Sequence, residues 1–187
     1  MTSGTISYCK TIGSSSNAGG IVYQLKGGLI VACENNMTLT SGIGGIAAEV
    51  YGTSKIIGCS NTGNITFNGY IAGGIVGELI GKGLILCCYN RGTITIQNQS
   101  NNIYIGGIAG SVTSYPQETP TIARCYNTGS LKFSKCTGKL YMAHICPVYD
   151  GGGYYHSGVT YSPYPGYTGG VYYEDVYNSS FVTKLNN

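Results

Sequence analysis

Two short motifs recur five times along this chain of 187 residues. In the first, an isoleucine stands three residues before a cysteine, at Cys9, Cys33, Cys59, Cys88 and Cys125. The second closes each unit with Gly-Gly-Ile, and its fifth copy reads Ala143-His144-Ile145. A unit of about 24 to 37 residues with short apolar segments cannot bury its apolar face alone, whereas stacked copies can. The repeat therefore predicts a stacked, quasi-one-dimensional architecture.

The composition indicates that the stacked units are made of β-strands. Only 9% of the residues are charged, against ~25% in ordinary soluble domains, and segments such as "NITF" and "TITI" alternate with the period of a strand. We predict an all-β, right-handed parallel β-solenoid of about five coils. Residues 1–146 form the coils, and residues 147–187 form a Tyr/Gly/Pro-rich loop and a C-terminal capping coil of the same domain.

The alternation of side chains assigns faces to the strands. Arg124 directly precedes the fifth repeat cysteine, so the position before each cysteine is predicted to face outward. Cys87 occupies this position in the fourth unit and is therefore predicted to be exposed. The repeat cysteines are then predicted to face the core, with a bend just after the isoleucine. The residues two before each cysteine are predicted to face the core with them: Val31, Ile57, Leu86 and Ala123.

Polar residues recur two positions after the cysteine. They are Asn35, Asn61, Asn90 and Asn127, with Thr11 in the first unit. We predict that these asparagines occupy a corner, where their amides bond backbone groups of neighbouring coils. The glycines four positions after the cysteine suit a left-handed turn or a close backbone approach, and Gly-Gly suits a tightly stacked corner.

The repeat cysteines predict a ladder of side chains in the core. Neighbouring strands lie ~4.8 Å apart, which falls within the Cα separation that disulfides span. Stacked parallel side chains rarely point in the directions that the bond requires, and cysteine is readily buried as a small apolar residue. Free thiols are therefore favoured, and a disulfide within the ladder stays open as the alternative.

The segments "CYNTGS" at 125–130 and "CSNTGN" at 59–64 resemble the GLUG-motif repeats of bacterial surface proteins. The resemblance extends from about residue 5 to residue 146. It implies a β-solenoid in a cell-surface setting, as in adhesin-like proteins and some surface peptidases, where such repeats accompany other domains. It supplies no catalytic residues. Thr11, Met37 and Ala143-His144 depart from the repeat, as terminal or degenerate coils can.

The sequence does not favour a metal site or a nucleophilic catalytic site. The spacing of Cys136, His144, Cys146 and His156 matches no zinc pattern. Cys146 with His144 and Asp150 is a weak candidate for a nucleophilic site, because His144 replaces a repeat glycine. We predict no metal and no cofactor.

Carboxylate chemistry provides the alternative function. Carbohydrate-cleaving enzymes commonly use paired acids. The glutamates Glu34, Glu49 and Glu78 do not occupy one repeat position. Loops could still bring two of them together. We therefore predict a non-enzymatic protein and keep a carbohydrate-active β-helix enzyme, resembling a polysaccharide lyase or hydrolase, as the alternative.

Tyrosines concentrate near the C-terminus, in a segment rich in Gly and Pro. Rings on such loops can stack on sugars or anchor a protein partner. The opposing interpretation is a cap whose rings are buried over the last coil. The candidate ligand-binding residues are Tyr154, Tyr155, Tyr161, Tyr164 and Tyr167.

The charge and hydropathy patterns limit the classes of partner that this chain can bind. The net charge of +3 is scattered, which disfavours nucleic acid, and no apolar run reaches the ~20 residues of a membrane span. The start, "MTSGTISYCK", does not read as a signal peptide, and we expect other domains in a longer chain. The predicted function is a non-catalytic, adhesive or stalk-like module at the bacterial cell surface. Its expected partner is a host or cell-surface glycan or protein.

Overall fold

The computed structural model describes residues 1–97, 102–113, 120–133 and 140–147, and two short strands beyond them. None of these residues lies in a helix. In chain order the strands are β1 (Thr5–Ser7), β2 (Lys10–Ser15), β3 (Val22–Lys26), β4 (Leu29–Val31), β5 (Glu34–Leu39), β6 (Ala47–Tyr51), β7 (Lys55–Ile57), β8 (Ser60–Asn61), β9 (Ile65–Phe67), β10 (Ile71–Gly73), β11 (Val76–Ile80), β12 (Leu84–Leu86), β13 (Tyr89–Asn90), β14 (Ile94–Ile96), β15 (Ile103–Gly106), β16 (Ala109–Thr113), β17 (Thr121–Ala123), β18 (Tyr126–Asn127), β19 (Leu131–Phe133), β20 (Leu140–Ala143), β21 (Tyr161–Ser162) and β22 (Glu174–Asp175).

Successive repeat units contribute equivalent strands to shared parallel sheets. A five-stranded sheet, in the order β1-β4-β7-β12-β17, takes one strand from each unit and aligns the isoleucines that precede the cysteines. A four-stranded sheet, in the order β3-β6-β11-β16, contains the strands that follow Gly-Gly-Ile. The prediction of an all-β fold with parallel pairing between repeats is confirmed.

The segments after the cysteines form an eight-stranded sheet. In the second unit this segment is one continuous strand, β5, whose two ends pair with β8 and β9 of the third unit. The third to fifth units also contribute β10, β15 and β20 to a three-stranded sheet. Further along the chain β21 and β22 pair antiparallel, and β22 lies against β20.

Two apolar cores result from this arrangement. The larger one contains the repeat cysteines of the second to fifth units with Leu25, Val50 and Leu79 from the four-stranded sheet. The prediction that Cys9 also faces the core was wrong: Cys9 is exposed, because it lies in the first unit and only one described unit packs against it. The smaller one is built around Ile65, Ile94 and their neighbours. Each unit adds one layer to a core that the preceding unit began, as the repeat pattern requires.

The prediction of which residues face the core was wrong at one position of the repeat. Ile30, Ile56 and Ile85, three residues before the cysteines, are fully buried. The half-buried residues on the outer side are Val31, Ile57, Leu86 and Ala123, which had been expected inside.

A left-handed residue before each cysteine explains this difference. The φ angles are 55° at Tyr8, 50° at Ala32, 61° at Gly58, 54° at Cys87 and 53° at Arg124. The chain therefore turns between the outward residue and the cysteine, and the cysteine points inward again. The expected exposure of Cys87 and Arg124 is confirmed.

The second glycine of the closing motif is required by close backbone approach. A Cβ on Gly45 would lie 2.1 Å from the carbonyl oxygen of Gly74 and 2.5 Å from Cγ of Asn61. Any larger residue would push adjacent units apart, so this glycine sets the spacing between units.

Candidate functional site

The four repeat asparagines are buried and hydrogen bond to one another across the units; we refer to them as the asparagine ladder. Nδ2 of Asn35 donates to Oδ1 of Asn61 over 2.7 Å, Asn61 donates to Asn90 over 2.7 Å, and Asn90 donates to Asn127 over 2.8 Å. Each amide also donates to the carbonyl two residues later, as Asn61 does to Gly63 over 2.9 Å. The bonds between units thus join side chains, whereas backbone partners had been expected.

Different residues stand at the two ends of the asparagine ladder. The hydroxyl of Thr11 donates to Oδ1 of Asn35 over 2.6 Å. At the other end, Nδ2 of Asn127 lies 3.1 Å from Nδ1 of His144. His144 occupies the position of a closing glycine, and the corresponding Gly107 packs against the side chain of Asn127. Among the described residues no further asparagine follows His144, which leaves room for its ring at the end of the ladder.

The repeat cysteines form a second column, which we call the cysteine ladder. The backbone N–H of each cysteine donates to the sulfur of the next: Cys9 to Cys33 over 3.4 Å, Cys33 to Cys59 over 3.5 Å, Cys59 to Cys88 over 3.4 Å, and Cys88 to Cys125 over 3.4 Å. The sulfurs of the second to fifth units thereby satisfy a backbone donor at the left-handed turn, where the regular strand pairing is interrupted.

The thiols of the cysteine ladder are poorly suited to nucleophilic chemistry. Every described cysteine is a free thiol, and Cys33, Cys59, Cys88 and Cys125 are buried. Burial raises the pKa of the Cys33 thiol. Hydrogen bonds with Cys125 and Cys59, together with burial, raise the pKa of Cys88. Hydrogen bonding with Cys88 lowers the pKa of Cys59 and of Cys125, but both thiols are buried. Because a reactive cysteine must be accessible as well as ionised, burial assigns these residues a structural role.

The tyrosines predicted to bind a ligand fall at the C-terminal end of the chain. Tyr154, Tyr155, Tyr164 and Tyr167 lie outside the described residues, and only the backbone of Tyr161, in β21, is described. Of the residues weighed for metal or nucleophile chemistry, three also lie outside the described part: Cys136, Asp150 and His156.

Two glutamates that sequence reasoning had separated lie side by side in the four-stranded sheet. Glu49 of β6 and Glu78 of β11 are in register on adjacent parallel strands, and we call them the carboxylate pair. Both stand three residues after the isoleucine of Gly-Gly-Ile and so share a repeat position, although Glu34 does not share it with them. Glu34 belongs to another sheet and forms a salt bridge of 3.1 Å with Lys10.

Three donors converge on the carboxylate of Glu49. It accepts hydrogen bonds from the hydroxyls of Tyr51 (2.7 Å) and Tyr23 (3.1 Å), and from Nε2 of Gln24 (2.7 Å). Burial acts to raise the pKa of Glu49, but these hydrogen bonds and the charge of Lys26 outweigh it and lower the pKa. The bond to Glu49 in turn raises the pKa of Tyr51 to about 12. Glu49 is therefore held as an anion.

Glu78 has the opposite environment. Its side chain is half-buried, and none of the described residues donates a hydrogen bond to it. Burial, and then the charge of Glu49, raise the pKa of Glu78. Two neighbouring carboxyl groups with pKa values shifted in opposite directions can serve as a proton donor and a proton acceptor. The signal for this pair in the sequence was the shared offset from Gly-Gly-Ile.

Other kinds of site were sought in the described part of the chain. It contains no group of three or more His, Cys, Asp and Glu side chains placed to hold a metal ion. An open cleft lies beside the end of the asparagine ladder, lined by residues 128–131 and 142–144. Nowhere in the described ranges is there a helix with the length and apolarity of a membrane span.

Comparison with protein-family models, with curated proteins and with solved structures found no match.

Proposed function

We propose that this chain is a right-handed parallel β-solenoid of about five coils, which acts as a non-catalytic adhesive or stalk-like module at the bacterial cell surface. The observation that carries this proposal is the pair of ladders. The cysteines recur in all five units and the asparagines in the second to fifth, and both are bonded to the equivalent residues of the next unit. Recurrent residues used in this way build an elongated scaffold.

The order of the strands supports the solenoid. Each of the first four units passes from the five-stranded sheet through the eight-stranded sheet to the four-stranded sheet before the next unit begins. Crossovers between parallel strands of one sheet are almost always right-handed, and we assign that hand to the coils. The contact of β22 with β20 supports a C-terminal Tyr/Gly-rich cap over the last coil.

The proposed partner is a glycan or a protein at a host or bacterial surface, bound by the tyrosines of the C-terminal loops. The proposal agrees with the resemblance to GLUG-motif proteins and with the ability of tyrosine rings to stack on sugars. Binding of the purified chain to a glycan array and to immobilised cell-surface proteins tests it. Replacement of the five C-terminal tyrosines by alanine should abolish binding, with circular dichroism as the check on folding.

Tyr8→Ala provides the matched control for this experiment. Tyr8 is 83% exposed and lies in the first unit, at the opposite end of the sequence. Its loss should leave binding unchanged. Equal loss of binding in both variants, or full binding by the variant without the C-terminal tyrosines, would rule out the proposed surface.

The carboxylate pair favours a second candidate, a carbohydrate-active enzyme. Strands in register lie about 4.8 Å apart, which suits the short carboxyl separation of retaining enzymes. In hydrolysis, protonated Glu78 would donate its proton to the glycosidic oxygen of the leaving sugar while Glu49 attacks the anomeric carbon. Glu78 would then accept a proton from the water that displaces the sugar from Glu49. The exposed ring of Tyr23, beside Glu49, offers a surface on which a sugar can pack.

Release of reducing ends from a panel of polysaccharides separates the two candidates. If the chain is an enzyme, Glu78→Gln should reduce the rate by about 10²–10⁴-fold. Glu34→Gln is the control, because Glu34 pairs with Lys10 in a different sheet. No release by the native chain, or an unimpaired Glu78→Gln variant, would eliminate the enzymatic candidate and leave the scaffold.

A further inference from the structure

Within the described part of the chain, the outer edge of β2 is unpaired. β2 pairs with β5 on one side, where the carbonyls of Cys9 and Ser15 accept the N–H groups of Glu34 and Thr40 over 2.8 and 2.9 Å. In a parallel pair, alternate residues direct both backbone groups to the same neighbour. The odd-numbered residues of β2 therefore bond β5, and Lys10, Ile12 and Ser14 direct their N–H and C=O groups away from it.

This edge differs from the neighbouring edge of the first unit. On β3, Met1 covers the edge, since its amino group donates to the carbonyl of Gln24 over 2.6 Å and its carbonyl accepts the N–H of Lys26 over 2.7 Å. In the described part of the chain no strand pairs with the outer edge of β2. Ile12, at its centre, is 75% exposed. Protein structures usually cover or interrupt an open edge that carries an exposed apolar side chain.

We propose that two copies of this chain associate through β2, which pairs antiparallel with β2 of the second copy. A two-fold axis at Ile12 places Ile12 opposite its counterpart and Lys10 opposite Ser14. This register pairs all three outward-directed residues at once and forms about six backbone hydrogen bonds. A shift by two residues in either direction loses at least one of the three pairs.

The side chains of β2 suit pairing with itself. Each lysine meets a serine, so the two copies of Lys10 do not face each other, and like charges directly opposite would weaken the pair. The two isoleucines form an apolar contact at the centre. The arrangement continues the eight-stranded sheet across the axis into the second copy and closes as an isologous dimer.

Ile12→Pro tests the interface selectively. Proline lacks the N–H that Ile12 directs outward, while the N–H groups that bond β5 belong to the neighbouring residues, and an edge strand tolerates proline in that orientation. Sedimentation equilibrium should show a dimer for the native chain and a dissociation constant raised at least about tenfold for Ile12→Pro. Ile12→Val, which keeps the N–H and a β-branched side chain, should remain dimeric.

Hydrogen exchange on the native chain provides a measurement that does not depend on how Ile12→Pro folds. The amides of Ile12 and Ser14 should become protected as protein concentration rises, whereas that of Thr11 should be protected at every concentration. A native chain that stays monomeric would overturn the proposal. So would a dimer that persists in folded Ile12→Pro, or Ile12 and Ser14 amides that exchange freely in the dimer.

Discussion

Asn61→Ala perturbs the middle of the asparagine ladder. The side chain of Asn61 is fully buried. It accepts one hydrogen bond from Asn35 and donates two, to Oδ1 of Asn90 and to the carbonyl of Gly63. Alanine removes all three bonds and leaves a void where the amide stood.

The structure sets the size of the expected loss. A buried hydrogen bond contributes about 1 kcal/mol of net stability, so three bonds account for about 3 kcal/mol. The partners keep other bonds, because Asn35 still donates to the carbonyl of Met37 and Asn90 still accepts from the N–H of Gly92. The void adds about 1 kcal/mol. We expect Asn61→Ala to lower the free energy of unfolding by about 4 kcal/mol.

Guanidinium denaturation followed by circular dichroism measures this loss. Asn36→Ala is the matched control. Asn36 directly follows Asn35 of the ladder, but its side chain accepts a hydrogen bond from Thr62 at the surface. Asn36→Ala should lower the free energy of unfolding by about 0.5 kcal/mol. A loss below about 1 kcal/mol for Asn61→Ala, or equal losses for the two variants, would refute the reasoning that the ladder stabilises the fold.

Three further predictions address the turns, the thiols and the carboxylate pair. Ala32→Gly should raise the free energy of unfolding by about 0.5–1 kcal/mol, measured by denaturation, because glycine removes the strain of a Cβ in the left-handed region. Gly58→Ala should lower it by a similar amount. A thiol reagent applied to the native chain should label Cys87 and spare Cys59 until unfolding, as read by mass spectrometry; the reverse would contradict the assigned faces. The pKa of Glu78 is raised from 4.5 on folding, so the stability that its protonated form contributes is lost as pH rises through the folded pKa. Glu78→Gln should therefore raise Tm at neutral pH and have little effect near about pH 4. An unchanged Tm at neutral pH would contradict the burial of Glu78 beside the charge of Glu49.

Much of the architecture could be predicted because the repeat and the period of the strands are visible in the sequence. Equivalent residues of successive units pair in register, as at Ile56 and Ile85. The faces were harder to predict, because a left-handed residue reverses the alternation and only one of the five such positions, Gly58, is a glycine. Nothing in the residue types of Tyr8, Ala32 or Arg124 signals that conformation.

The candidate site was missed for a different reason. Glu49 and Glu78 share an offset from Gly-Gly-Ile, but the equivalent residues of the flanking units are Gln24 and Ser111, so the position does not read as a repeated acid. The hydrogen bonds that fix Glu49 come from the same and the adjacent strand, and only the pairing register brings those donors together. Sequence spacing alone does not contain that information.

The central claim is that buried asparagines bond one unit to the next. Hydrogen exchange of the side-chain amide of Asn61, followed by NMR, tests it most directly. We predict that these amide protons exchange only on global unfolding, far more slowly than those of Asn36 at the surface. Equal and rapid exchange of the two side chains would contradict it.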